Sequence, residues 1–211
     1  MSECRLVLAR ASAEAGALIG GARPAHLDLL GRMAEAGTLI IGVPLLDTEG
    51  GGYRGSLMLV KAEALEDYLA VEPFRHGGVW ESHAVHPFRI AGLPYPPFPD
   101  GPVPERPTHT IAVAWDGTDE AARERRLAVR ERHFARVRPA AEASVLALGG
   151  AILDRPGGAM IGSVAITAHE SVDDARGWWA EDPYVTGGVW ERVDWYATRI
   201  APLPYRALPT G

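Results

Sequence analysis

Glu72-Pro73-Phe74-Arg75-His76-Gly77-Gly78-Val79-Trp80-Glu81, in the middle of the chain, is answered by Asp182-Pro183-Tyr184-Val185-Thr186-Gly187-Gly188-Val189-Trp190-Glu191 near its end, 110 residues later. The offset holds as far as Leu93-Pro94-Tyr95 against Leu203-Pro204-Tyr205. Upstream, Arg23-x-x-His26 recurs as Arg130-x-x-His133 and Gly55-Ser56 as Gly162-Ser163, both 107 residues apart. The pattern is that of one fold unit duplicated and fused. Chemistry is therefore sought in groups that survive in both copies.

Working outward, each copy has the order β-α-β-β-α-β. In the first, the apolar residues 5–10 read as a strand. Pro24 suits the first turn of a helix that carries Leu27, Leu30 and Ala34 at helical spacing and stops at Gly37. Residues 38–46 and 56–61 read as a hairpin around Gly50-Gly51-Gly52. A short helix at 63–70 must end before Pro73, and 78–89 is the last strand. In the second copy, strands are expected at 109–115, 151–154, 160–167 and 189–200. Helices are expected from Asp119 and over 172–180, with Pro139 kinking or restarting the longer one. Units of this order fold as a four-stranded antiparallel sheet with both helices on one face. The other face needs a cover, and the second copy supplies it.

The domain division is then residues 1–93, a connector at 94–107, residues 108–205, and a tail at 206–211. Seven prolines make the connector extended and semi-rigid. At roughly 3.1 Å per residue it reaches about 43 Å, enough to cross a small domain. Leu-Pro-Tyr, present in both copies, reads as a packing tail over a sheet edge.

With 47% hydrophobic and 23% charged residues, the 211-residue chain has an ordinary globular composition. A net charge of −6 argues against nucleic acid and acidic polyanions as partners. The lone Cys4 allows no internal disulfide, which points to a reducing cytoplasm. No signal-peptide pattern and no membrane-length apolar run is visible. Lys61 is the only lysine among many arginines, a bias that matches a G+C-rich bacterial genome.

The candidate chemistry follows the repeats. His26, two residues past Pro24, would sit where the helix dipole favours the uncharged ring, and Arg23 one turn earlier could grip an anion. Glu72 and Asp182, each held before a proline, could orient His26 and His133 as His–carboxylate pairs. Arg130, Ser56, Ser163, Trp80, Trp190 and Tyr184 are the substrate-contact candidates. The tryptophans read as core or as pocket wall, and the serines lack the surroundings of a nucleophile. His83-x-x-His86 on a strand points to opposite faces, so no metal and no other cofactor is expected. Arginines between 123 and 138 alternate with Glu124 and Glu131 and read as a solvated, salt-bridged face.

Taken together, Arg-x-x-His-(Leu/Phe), the strand-opening Gly-Ser and Asp-Pro-Tyr followed by Gly-Val-Trp-Glu resemble the YciI-like (YCII-related) family, once per copy. That resemblance implies the dimeric α+β barrel, here as an internal pseudo-dimer packed sheet to sheet, with further self-association open. It also implies a His–Asp pair in a cleft, proposed as a general acid/base site. Related members eliminate HCl from a chlorinated hydroquinone, and structurally related barrels isomerise lactones. Carried over, the pair is His133 with Asp182, and in the first copy His26 with Glu72, whose extra methylene departs from the pattern. The expected function is cofactor-independent isomerisation, elimination or cyclisation of a small oxygenated metabolite. The alternative is a non-catalytic ligand-binding or accessory protein. The expected arrangement has one working site, His133–Asp182, beside a partner that has drifted.

Overall fold

The computed structural model describes residues 4–49 and 51–208. Gly50, part of the anticipated hairpin turn, lies outside the described residues. The first half runs β1 (Cys4–Ala11), α1 (Ala15–Ala36), β2 (Leu39–Leu46), β3 (Tyr53–Lys61), a 3-10 turn, α2 (Leu65–Val71), α3 (Pro73–His76) and β4 (Trp80–Ile90). The second runs β5 (His109–Asp116), α4 (Ala122–Glu142), β6 (Leu146–Leu153), β7 (Met160–Thr167), α5 (Val172–Trp179), α6 (Pro183–Thr186) and β8 (Trp190–Thr198).

All strand pairings are antiparallel, and the eight strands close into one barrel, in the order β1-β3-β2-β8-β5-β7-β6-β4. Leu6, Val43, Leu57, Ile111, Val164 and Ile166 point inward and fill the interior, as expected for a barrel of this size. Alternate residues, such as Val7, Ala9, Met58 and Val60, face out under the helices. Both strand faces are therefore buried, which is why the strands read as continuous apolar runs instead of alternating. The repeated Gly-Ser has a backbone cause. A Cβ on Gly55 would stand 1.9 Å from the Ala9 carbonyl oxygen, and one on Gly162 2.4 Å from that of Ala114.

Two seams join the halves. At one, Phe88, Arg89 and Ile90 pair with Ile152, Ala151 and Gly150. At the other, the ladder is reduced to Leu46 against Ala197. Pro44 accounts for the difference. Its nitrogen lies on the same strand edge as Gly42 and Leu46 but carries no N–H to donate. Side chains fill the gap: Thr198 Oγ1 donates to the Pro44 carbonyl at 2.6 Å. The Tyr205 hydroxyl accepts from Gly42 N–H at 3.2 Å and donates to Gly42 C=O at 3.1 Å. Tyr95 does the same to Gly149 across the other seam, at 3.1 and 2.8 Å. Each Leu-Pro-Tyr tail thus crosses onto the opposite half.

Several expectations need correction. The first helix begins at Ala15, not Pro24, and continues through the proline. Gly20, whose carbonyl loses its donor, is exposed and can be hydrated. Helix α4 likewise runs unbroken through Pro139 to Glu142, because a proline in the last turn removes only one bond near a frayed end. Strand β6 starts at Leu146 rather than 151. Leu208 packs into the same apolar cluster as the barrel interior.

Burial pushes the Tyr205 phenol up to about 12. Its pKa is thus higher folded than unfolded, so the stability it contributes is intact below pH 10 and is lost as pH climbs from 10 to about 12. Tyr205→Phe keeps the ring but leaves two buried backbone groups unpaired. We expect a loss of about 1–3 kcal/mol at neutral pH by urea unfolding and a flatter decline in alkali. Unchanged stability would show that the seam does not depend on this hydroxyl.

Candidate active site

Helix α4 sets one face toward β6 and β7, and Arg126, Arg130 and His133 recur on it at four- and three-residue steps. Asp182 comes from the turn before α6. Its backbone is extended, as a residue before proline must be, and its side chain caps the helix by accepting from Tyr184 N–H at 2.8 Å. The same oxygen, Oδ1, lies 2.8 Å from His133 Nδ1. A carboxylate only accepts, so Nδ1 carries the proton and Nε2 is the ring nitrogen left for the cavity. Tyr184 stacks on the imidazole at 3.7 Å between ring centres, fixing its plane. Asp182 is fully buried; its Oδ2 has no hydrogen-bond partner, with Arg136 Nε 3.8 Å away.

The first half repeats this geometry. Glu72 Oε1 caps α3 through Phe74 N–H at 2.9 Å and lies 2.7 Å from His26 Nδ1. His26 stacks on Phe74 at 3.8 Å. The extra methylene of Glu72 therefore does not break the pair. Nor is His26 better placed than His133. Each is the twelfth residue of its helix, counted from Ala15 and Ala122, so His26 lies far from the dipole end that the sequence suggested.

Two cavities open beside the pairs. The second-half cavity, about 380 Å³, is lined by Arg126, Arg130, His133, Ser163, Tyr184 and Trp190. Its remaining wall includes Arg89 to Leu93, from the tail of the first half. The first-half cavity, about 320 Å³, has Arg23, His26, Tyr53, Ser56 and Phe74, closed by Arg199, Ala201 and Leu203 of the second half. Each site is thus composite. Trp190 lines its cavity and donates to Ser163 Oγ at 3.3 Å. Trp80 stands behind Tyr53, to whose hydroxyl it donates at 2.8 Å, and does not reach the first cavity.

The reading of residues 123–138 as a solvated face fails at Arg126, which is 3% exposed. Its Nη1 bonds both oxygens of Asp116 at 2.8 and 2.7 Å, and its Nη2 donates to Ser163 at 2.8 Å. Burial pushes the Asp116 carboxyl up, against the pull of Arg126. Helical spacing carried a signal for Arg126, two turns before His133 on one face. Nothing in the sequence pointed to Asp116 or Tyr53, which are not repeated. No cluster of three or more His, Cys, Asp or Glu gathers among the described residues. No helix among them is long and apolar enough to cross a membrane.

The YCII-related domain model matches residues 111–197. No curated protein matches the chain. Over nearly the whole length, the fold is similar to a putative monooxygenase from Lactobacillus acidophilus, at 13% identity and TM-score 0.56, covering 96% of this chain and 95% of that one. A mutant chlorite dismutase from Candidatus Nitrospira defluvii gives 11% identity and TM-score 0.58, covering 96% and 93%. A dehydrochlorinase acting on 5-chloro-2-hydroxyhydroquinone, from Burkholderia phenoliruptrix, overlaps 41% of this chain and 89% of its own, at 22% identity and TM-score 0.37. The whole-length likenesses are of fold alone.

Asp116→Ala should cost about 3–5 kcal/mol in urea unfolding, because it strands a buried guanidinium. The paired replacement Arg126→Met with Asp116→Leu should recover most of that. If Asp116→Ala alone costs nothing, the pair is not structural.

Proposed function

We propose that the chain is a cofactor-independent acid/base catalyst that moves a proton on a small oxygenated metabolite in the second-half cavity. The observation that carries this reading is the His133–Asp182 pair, bonded at 2.8 Å with its other ring nitrogen left to a cavity of about 380 Å³. In this reading His133 Nε2 removes a proton from a carbon next to a carbonyl, and the electron pair moves onto the carbonyl oxygen. Asp182 holds the ring and stabilises the imidazolium. N–H groups of Arg126 and the Ser163 hydroxyl stand nearby as donors for the oxyanion. Return of the proton elsewhere gives isomerisation, and loss of a leaving group gives elimination. Arg130 at the mouth, with Tyr184 and Trp190, would orient the substrate.

The architecture supports a related proposal. Residues 1–93 and 108–205 are two copies of one YciI-like unit, joined by 94–107 and followed by 206–211, forming an internal pseudo-dimer. On that view Glu72 and His26, with Arg23 and Ser56, are a second site of the same descent. Binding without turnover is the competing reading, and it predicts ligand affinity with no proton exchange.

The test uses a panel of lactones, chlorinated hydroquinones and hydroxyquinones in D2O, followed by NMR for C–H exchange, ring opening or chloride release. His133→Ala and Asp182→Asn should each lower turnover by about a hundredfold to ten-thousandfold while circular dichroism shows an intact fold. If both variants keep wild-type rates, the assignment is wrong.

A further inference from the structure

The two cavities are built on the same frame, yet one coordinated exchange separates their floors. Strand register and helix offset align Arg126 with Ile19, Asp116 with Ala11, and Met160 with Tyr53. In the second half, Ser163 therefore meets a guanidinium neutralised by Asp116. In the first, Ser56 meets the Tyr53 hydroxyl at 2.7 Å. That phenol, pushed up to about 12 mainly by burial, carries no charge at neutral pH. Ile19 lines the first cavity where a cation lines the second.

Arg126 has N–H groups to spare. A guanidinium offers five. Two N–H···O contacts go to Asp116 and one to Ser163, while the buried Nε–H has no partner in the protein. One N–H on Nη2 is also unspent, and Arg126 lines the cavity, so a carboxylate there can accept from it. The rest of the wall agrees. Arg89 and Arg130 line the same cavity, no carboxylate lines it, and neither arginine pairs with one among the described residues. In the first cavity, Arg199 (the counterpart of Arg89) is tied to the carbonyls of Pro104 and Glu105 at 3.2 and 2.6 Å. Arg23 is exposed at the rim of that cavity.

We propose that the two cavities take different ligands: the second binds a small carboxylate-bearing compound seated on Arg126, and the first binds an uncharged hydroxylated one against Tyr53 and Ser56. This concerns binding alone, so it stands or falls separately from the acid/base role of His133.

Benzoate and benzyl alcohol serve as probes, with the imidazole signals of His133 and His26 followed by NMR. Benzoate should shift His133 and leave His26 in place, with benzyl alcohol shifting His26. The double variant Arg126→Met, Asp116→Leu should weaken benzoate by about tenfold or more without changing the benzyl alcohol response. Should that variant fail to fold, Arg89→Gln with Arg130→Gln keeps the buried pair and should weaken benzoate severalfold. Benzoate moving both histidines alike, moving neither, or binding the folded variant with wild-type affinity would each overturn the proposal. So would a benzyl alcohol titration that leaves His26 unmoved.

Discussion

A four-stranded sheet with helices on one face leaves its other face apolar and its two edges unpaired, and neither can stand in water. In this chain both problems are met at once by closing eight strands into a barrel. The inward residues of the two halves fill a common interior, and β2 and β4 find partners in β8 and β6. That closure determines where everything else lies. A strand that ends at a seam must continue over the opposite half, so the chain after β4 walls the second-half cavity and the chain after β8 walls the first. The tyrosines at 95 and 205 then satisfy the strand edges left open where pairing stops.

The second constraint is local. A proline one residue after Glu72 or Asp182 forces an extended backbone, removes one N–H, and starts a helix of only four residues. The carboxylate must cap that helix, and the capping oxygen is the one facing the histidine. One atom therefore holds the turn and the imidazole together, which makes structural and chemical roles hard to separate by mutation at that position alone. It also explains why glutamate serves as well as aspartate in geometry. Both reach the same backbone N–H, and the histidine follows the oxygen.

Where the halves differ, they differ in sets. Arg126 is tolerable in the interior only with Asp116 beside it, since a lone buried guanidinium would be costly. Without that pair, Ile19 and Ala11 leave Ser56 needing a neutral partner, which Tyr53 provides, with Trp80 donating behind it. Carrying both halves on one chain permits such differences, because the two halves need not share a sequence.

By itself the sequence determined the element order, the repeat, and the two histidine–carboxylate pairs, because each rests on short-range chemistry. Examples are a residue before proline, glycines where the backbone crowds, and apolar runs in strands. It misplaced the start of α1, since proline favours a first turn, whereas Pro24 lies inside the helix, where the exposed Gly20 carbonyl that loses its donor can be hydrated. It read Arg126 as solvated, because alternating charges on a helix look the same whether or not a sheet covers one face. Only the tertiary structure decided that Asp116 meets Arg126, that Tyr53 replaces them in the other half, and that each cavity borrows its wall from the opposite half. The borrowed walls join residues far apart in the chain, which barrel closure brings together across the seams. Asp116 and Arg126 are ten residues apart and Tyr53 and Ser56 three, but their contacts depend on how the helix and strand ends pack, which no local pattern encodes.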